Sequence, residues 1–555
     1  MRPFCHTVEM VKHYTRLGFW GNPVYCEVWD QNALSYGTRE DLVDSRGRGV
    51  TWETAKKMSD RLALGLLELG FKRDDIIVIQ LPNICEHLII RVACQKAGIL
   101  CLPVGMGFRE AELKHIFELT NAKGIVIISQ YHERDHFKMV QEAKSESLTH
   151  VFLMNNGSLE MQALSIEGMQ VWSIEGMIKN PLEEEYPADF LKEPRVGRYD
   201  VMALTATSGT TGLPKVSEEY NYPHQFPLTN AERWRCTQEY VIGLLCPLSG
   251  GVSVPAWITF PFVPCKLALL ESWDVEAALK FIKEKGVSIA VGVPAQLIML
   301  MDFPELKKDD LTSLRAYFSA GAPLSPDVAR RAEEKLGCRI VGNLGSMDFG
   351  PIAIKSIDDP PEIRFFSVGK SYPGNELRLV DEKGTDVSPG EAGELLVRGP
   401  YAMTGILNDH EETLKTRGGE KDGWFITGDL ARVDEQGNIF IVGRKKETII
   451  RGGQNITPAE VENLLLEHTK VKMAAITPVP DEVLGEKACA CIIPKTGEII
   501  TFDEMIAFLK EKKLAPYKFP EYLEVFASFP MSGDGQKILK REMVEIVKKR
   551  LGKEK

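Results

Sequence analysis

Apolar positions along this chain switch repeatedly between a helical period and short continuous runs. From Ala55, the residues Ala55, Met58, Leu62, Leu66 and Leu69 recur at three- and four-residue steps. That spacing predicts one buried face of a helix, with Gly70 as its C-terminal cap. Asp74 and Asp75 then lead into IIVIQLP, a short apolar run that reads as a buried strand. The segment RVACQKAGILCLPV repeats helix then strand, and DVEAALKFIKEKG runs into VSIAVGVP with Gly286 as the stop. Strands alternating with helices predict an α/β fold, with parallel or mixed sheets flanked by helices.

The last hundred or so residues break this rhythm. Thr457, Pro458 and Glu460 read as a capping box with proline at the first helical position, and Thr501 with Glu504 reads as another before MIAFLKEKK. AAITPVPD and CACIIPK lie between them and are strand-like. A small, mobile α+β domain is expected here. The boundary falls in GRKKE, Gly443 to Glu447, which divides the chain into 1–445 and 446–555. The terminal KILKREMVEIVKKRLGKEK is basic and reads as a solvated helix end.

Length and composition fit this picture. A chain of 555 residues is too long for one simple core. Hydrophobic residues at 44% and charged residues at 26% are ordinary for a soluble globular protein. A net charge of -11 argues against a nucleic-acid partner, which needs a basic surface. The 11 cysteines include no CxxC pair, so buried reduced thiols are expected, Cys489 and Cys491 sharing one strand face. The N-terminus lacks a signal-peptide core, and no apolar stretch reaches membrane-spanning length, so a cytoplasmic protein is expected.

The densest chemical signal is TATSGTTGLPK, Thr205 to Lys215. Thr207, Ser208, Thr210 and Thr211 place four hydroxyls within five residues, and Gly209 and Gly212 free backbone amides to face an anion. Lys215 adds a positive charge. Pro214 before this lysine and Val216 after it exclude a Walker A loop. TSGTTGLPK resembles the phosphate loop of the adenylate-forming superfamily, which joins acyl-CoA synthetases, aryl-acid ligases, peptide-synthetase adenylation domains and luciferases. Further segments match in order: SAGAPLSP, LGSMDFG, ELLVRGPYAMTGI, WFITGDL with GRKKETIIRGGQN, and PMSGDGQKILKRE. The resemblance runs from about Thr51 to the C-terminus. Within it, the cyclic-acid and medium-chain CoA-ligase and aryl-acid branch is the nearest.

The resemblance implies a role for each matching position. Gly321, Ala322 and Pro323 wall the adenine, and Gly345, Ser346 and Met347 line the AMP. Asp429 and Arg444 reach the ribose. Lys537 is the catalytic lysine, bridging carboxylate and α-phosphate. Lys446 is the hinge, and Gly452 and Gly453 line the pantetheine tunnel. Asp348 stands where the family holds Mg²⁺ with a glutamate, and Met347 and Gln536 depart from its threonine and glycine.

Ser249, Gly250 and Gly251 occupy the acyl-pocket segment. Branch members that activate hydroxybenzoates carry a polar stretch there; the glycines here open space instead, and no carboxylate is present to pair an α-ammonium. Trp257, Phe260 and Phe262 read either as pocket walls or as core. The expected reaction is ATP-dependent activation of an apolar carboxylic acid, medium-chain, alicyclic or benzoate-like, followed by transfer to coenzyme A. ATP, Mg²⁺ and coenzyme A are the implied cofactors, the acid and coenzyme A are the small-molecule partners, and a homodimer is compatible. Two alternatives stand: loading of a carrier protein, and an acyl- or nucleotide-binding protein without catalysis.

Overall fold

The structure is a computed structural model and describes residues 5–154, 168–187, 189–191, 195–207, 214–306, 311–347, 349–402, 405–416, 423–531 and 538–553. The helix expected from Ala55 spans Trp52–Glu68; the Thr51 hydroxyl accepts from Thr54 N at its start, and Gly70 follows its end at φ 79°. The run after Asp75 is the strand Ile76–Gln80, buried at every position. It pairs in parallel with Leu100–Pro103 and Gly124–Ile128, and His150–Met154 and Gln170–Ser173 extend this to five parallel strands.

A second sheet has seven strands. Arg339–Val341, Ala316–Ser319, Ile289–Gly292, Val241–Leu244, Lys266–Leu269 and Glu40–Asp44 run parallel in that order, and Gly49–Thr51 closes the edge antiparallel. The helix Cys85–Ala97 touches strands of both sheets, and all thirteen of its residues are buried. Apolar residues of this helix and of both sheets share one core, as parallel sheets covered on both faces require.

Smaller antiparallel units complete the fold. Val201–Thr207 and Lys215–Tyr220 form a hairpin against Leu100–Pro103. Asn343–Ser346, Gly350–Ile354 and Lys370–Ser371 make a three-stranded sheet, and Glu376–Val380, Gly393–Arg398, Phe425–Val433 and Ile439–Arg444 a four-stranded one. From Ile449 onward the strands Ile449–Arg451, Gln454–Ile456, Val471–Asp481, Gly485–Pro494 and Tyr522–Val525 form their own sheet, with helices Pro458–Leu466, Phe502–Glu511 and Lys540–Arg550. Two apolar clusters in this part contain only residues beyond 448.

Two local expectations change. Thr457 precedes its helix but makes no side-chain cap; its methyl packs where a Cβ on Gly443 would sit. Thr501 does cap, accepting from Glu504 N at 3.3 Å. The basic tail is not wholly solvated, because the Lys540 ammonium bridges Glu447 at 2.6 Å and Glu462 at 3.0 Å. The cysteines are free thiols, and all but Cys5 and Cys236 are buried, Cys489 and Cys491 in one cluster. Among the described residues no helix is long and apolar enough to cross a membrane.

His87 lies inside the buried central helix, its Nδ1 3.3 Å from the Pro82 carbonyl. Burial, with Arg91 nearby, pushes its pKa down to about 3, against the backbone hydrogen bonds. The folded value lies below the unfolded one of about 6.5, so the unfolded chain binds the extra proton. The stability is therefore whole above pH 6.5 and declines as pH falls towards 3. Between pH 6 and 5 this residue should remove about 1 kcal/mol of unfolding free energy per pH unit. Urea titrations across that range should show a shallower decline for His87→Gln than for the unmodified chain.

Candidate functional site

Adjacent parallel strands deliver their following loops to one edge of the seven-stranded sheet. Val241–Leu244, Ile289–Gly292, Ala316–Ser319 and Arg339–Val341 are consecutive neighbours in it. The residues after their carboxyl ends are 245–253, 293, 320–323 and 342–347. Crevices at such edges are where open α/β sheets bind ligands. Gly251, Gly321, Pro323 and Gly345 are exposed there, with Ser249, Gly250, Ala322, Ser346 and Met347 half-buried.

The loop 245–253 is held from beneath. Asn83, buried at the start of the central helix, donates from Nδ2 to Cys246 O at 2.8 Å and accepts from Leu248 N at 2.8 Å. Gln296 donates to Leu245 O at 2.9 Å while accepting from Val293 N. The Ser253 hydroxyl is 2.7 Å from Gly250 O. None of Asn83, Gln296 or Ser253 was singled out from the sequence. The available signal was an amide side chain in an apolar stretch where strand turns into helix, LPNIC.

The glycine loop is less open than the sequence suggests. The nearest atom to a Cβ on Gly250 would be Pro247 O at 3.4 Å, but a Cβ on Gly251 would overlap the sulfur of Met347. The space at Gly251 is therefore filled from another segment. Trp257 and Phe260 are core: both are buried, and the Arg91 guanidinium lies 4.1 Å above the Trp257 ring. Phe262 is half-buried against the His224 ring.

Met347 sits in the turn joining Asn343–Ser346 to Gly350–Ile354. The Ser346 hydroxyl accepts from Phe349 N at 3.0 Å and so braces that turn. Gly345 is required sterically, since a Cβ there would meet Gly350 O at 2.9 Å. Gly321 sits at φ 87°, and a Cβ on it would be 2.7 Å from Val252 Cγ2. Asp348 lies outside the described residues, as do Ser208, Gly209, Thr210, Thr211, Gly212, Gln536 and Lys537.

The flanks of the hydroxyl-rich loop are nevertheless described. They are the paired strands of a hairpin, with Thr207 opposite Lys215. Thr205 donates its hydroxyl to the buried Glu219 carboxylate, which lies 3.9 Å from the buried Arg91. Burial raises the Glu219 pKa, while Arg91 and Thr205 oppose the rise. Val216 is fully buried beside Leu407, which explains a bulky residue after the lysine. Lys215 pairs with Glu412 at 2.6 Å. Glu412 comes from the helix His410–Thr416, whose lead-in segment bonds to the hairpin through Glu218 N to Gly405 O and Leu407 N to Val216 O.

Asp429 and Arg444 are brought together. They face each other on antiparallel strands, with Arg444 Nε 2.7 Å from Asp429 Oδ1. Asp429 is 5% exposed, and burial raises its pKa, Arg444 pulling it back and Glu447 adding to the rise. Beyond Arg444, Lys445 reaches back to Glu394 at 2.7 Å, Lys446 is exposed, and Glu447 is the partner of Lys540. Gly452 and Gly453 turn a hairpin at φ 55° and 80°, both exposed, with Gly452 N donating to Leu484 O. Among the described residues no three His, Cys, Asp or Glu side chains converge as a metal site.

Residues 29–407 match the AMP-binding enzyme family, and residues 460–536 match the AMP-binding enzyme C-terminal domain. The chain is 30% identical to the 2,3-dihydroxybenzoate-AMP ligase of Bacillus subtilis over 548 residues, covering 98% of this chain and 97% of that one. It is 28% identical to the medium-chain fatty-acid–CoA ligase of Escherichia coli over 534 residues, 95% of this chain and 92% of that one. Among solved structures, an anthranilate CoA ligase in complex with anthranoyl-AMP superimposes with a TM-score of 0.82 at 20% identity, covering 97% of this chain and 99% of that one. This last likeness bears out the α/β fold.

The clamp at Asn83 is directly testable. Asn83→Ala should leave Cys246 O and Leu248 N without their partner and lower stability by about 2 kcal/mol or more. Urea unfolding measures the loss, and limited proteolysis should cut the variant within 246–251 faster than the unmodified chain.

Proposed function

Because this chain belongs to the AMP-binding enzyme family and is an adenylate-forming acid ligase, we propose that it converts an apolar carboxylic acid to its coenzyme A thioester. The observation that carries the apolar acid is the loop 245–253, which bears no charged side chain and meets a thioether at Gly251. A charged substituent buried there would lose hydration without an opposite charge to compensate it. Kinship to a medium-chain fatty-acid–CoA ligase over nearly the whole chain favours coenzyme A as acceptor. A relative whose name gives an AMP ligase without coenzyme A leaves a carrier protein as the competing acceptor.

In the first half-reaction a carboxylate oxygen attacks the α-phosphorus of ATP and pyrophosphate leaves. Both reactants are anionic, so positive charge and alignment supply the rate. Thr207, Ser208, Gly209, Thr210, Thr211, Gly212 and Lys215 cradle the β- and γ-phosphates. Lys215 exchanges its Glu412 partner for phosphate oxygen, or shares itself between the two. Asp429 accepts from the ribose hydroxyls, with Arg444 holding its carboxylate in place. Gly321, Ala322 and Pro323 flank the adenine, and Gly345 and Ser346 border the AMP. Lys537 bridges the carboxylate and the α-phosphate as the anhydride forms. Asp348 is the residue that would hold Mg²⁺. Bound there, the ion would neutralise phosphate charge.

In the second half-reaction the thiolate of coenzyme A attacks the acyl carbonyl and AMP departs. The chain divides at 445/446, and rotation about Lys446 replaces Lys537 at the site by the hairpin turn of Gly452 and Gly453. Their exposed turn without side chains leaves a thin passage for pantetheine.

Pyrophosphate exchange into ATP, run with straight-chain, alicyclic and benzoate acids and then with added coenzyme A, tests this reading. Exchange followed by thioester supports it; exchange with no thioester transfers the chain to the carrier-loading class. Lys537→Ala should lower exchange by about 100-fold or more while thioester formation from supplied acyl-AMP persists; equal loss of both would contradict two orientations. Asp429→Asn should raise KM for ATP about 10-fold, a loss of roughly 1.4 kcal/mol. Because burial raises the Asp429 pKa, KM for ATP in the unmodified chain should climb as pH falls, beginning above the ordinary aspartate range. Asp429→Asn should remove that dependence.

A further inference from the structure

The sharpest unexplained contact in the crevice is between Gly251 and Met347. Glycine at 251 is not demanded by the backbone. Its φ is not positive, and it opens a short 3-10 turn after an extended Gly250 at φ -95°, ψ 150°. Nor is the position enclosed, since Gly251 is exposed. What excludes a side chain is one group, the sulfur of Met347, which takes the place of a Cβ.

The backbone that carries each partner is held in place. The loop carrying Gly251 is fastened by Asn83, Gln296 and Ser253. Val252, next to it, is caught against Gly321, where a Cβ would come within 2.7 Å. Met347 leaves a turn braced by the Ser346 hydroxyl and by the close approach of Gly345 to Gly350. The loop of Gly251 follows a strand of the seven-stranded sheet, whereas Met347 lies in a turn of the three-stranded one. A thioether suits such a junction, because it is unbranched, polarizable and fills irregular gaps. It also leaves an apolar surface over the loop assigned to the acid.

We propose that Met347 is a specificity-determining residue: its thioether, in contact with Gly251, bounds one side of the acid site and limits the accepted acid to a compact apolar one. This rests on the adenylation reading above. Gly251 and Met347 are then one unit, small on one side because large on the other. Enlarging the first displaces the second, and trimming the second lengthens the pocket by the space of about three heavy atoms.

The test is a four-protein cycle of the full chain: unmodified, Met347→Ala, Gly251→Ala and the double variant. Each is assayed by pyrophosphate exchange with acids from butanoate to decanoate, benzoate and cyclohexanecarboxylate. A methylene in an apolar pocket discriminates by roughly 10- to 200-fold. Met347→Ala should therefore shift the preferred straight-chain acid upward by about two carbons and change the long-to-short ratio of kcat/KM at least 10-fold. Gly251→Ala should lower kcat/KM for the best acid about 10-fold and also lower Tm. The double variant should recover most of both, because coupled neighbours are non-additive.

The Tm arm reads the interlock without turnover. Additive losses in the cycle, or a Met347→Ala that scales every acid equally or alters only KM for ATP, would overturn the proposal. Exchange by the unmodified chain with no shift in Met347→Ala removes only the role of Met347. An unmodified chain inert toward every acid brings down the adenylation reading, and this pocket with it.

Discussion

Parallel pairing across one edge of the seven-stranded sheet is the constraint from which the crevice follows. Four neighbouring strands end on the same side, so four stretches of chain far apart in sequence begin within a few strand spacings of each other. Gly251 and Met347 meet in this crevice, and Val252 meets Gly321. The buried helix Cys85–Ala97 locks this sheet to the other one. Asn83 at its start then transmits the position of that helix to the loop 245–253 through two hydrogen bonds. Core and crevice are thereby one mechanical system.

Some buried polar groups hold a loop or hairpin in place. Arg91, Glu219 and Thr205 form such a group under the hydroxyl-rich hairpin. The Trp257 ring covers the Arg91 guanidinium and keeps that charge from water. An isolated buried carboxylate would be expensive, so Glu219 persists only while the arginine, the hydroxyl and the strand pairing coexist. The same economy of contacts holds at Asp429, where one arginine on the facing strand offsets burial of the carboxylate.

Much of the fold was legible in the sequence because periodicity reports burial directly. The helix after Thr51, the strand Ile76–Gln80 and the unit from Val275 to Gly292 were all readable from apolar spacing and glycine stops. Single-residue chemistry at the site was legible only through motifs. Asp429 looks like a turn residue until the strand opposite presents Arg444. The pairings between distant segments were not legible. Nothing local marks Glu412 as the partner of Lys215, Asn83 as a clamp, or Met347 as the filler of Gly251. Those facts belong to the sheet order, and a chain read in sequence carries no direct record of it. The Thr457 box failed for a related reason: the methyl was already committed to the close approach of Gly443.

The short run from Arg444 to Glu447 carries anchors of opposite allegiance. Arg444 and Lys445 are tied backward, to Asp429 and to Glu394 at 2.7 Å each. Glu447 is tied forward by Lys540 to the terminal helix, and through the same ammonium to Glu462. Lys446 is the one residue left between the two sets. The rotation proposed above would be taken up around this residue, at the cost of the bonds from Thr448 to the Lys445 and Arg444 carbonyls. Salt would loosen the charge pairs on both sides of it and so ease the proposed rotation.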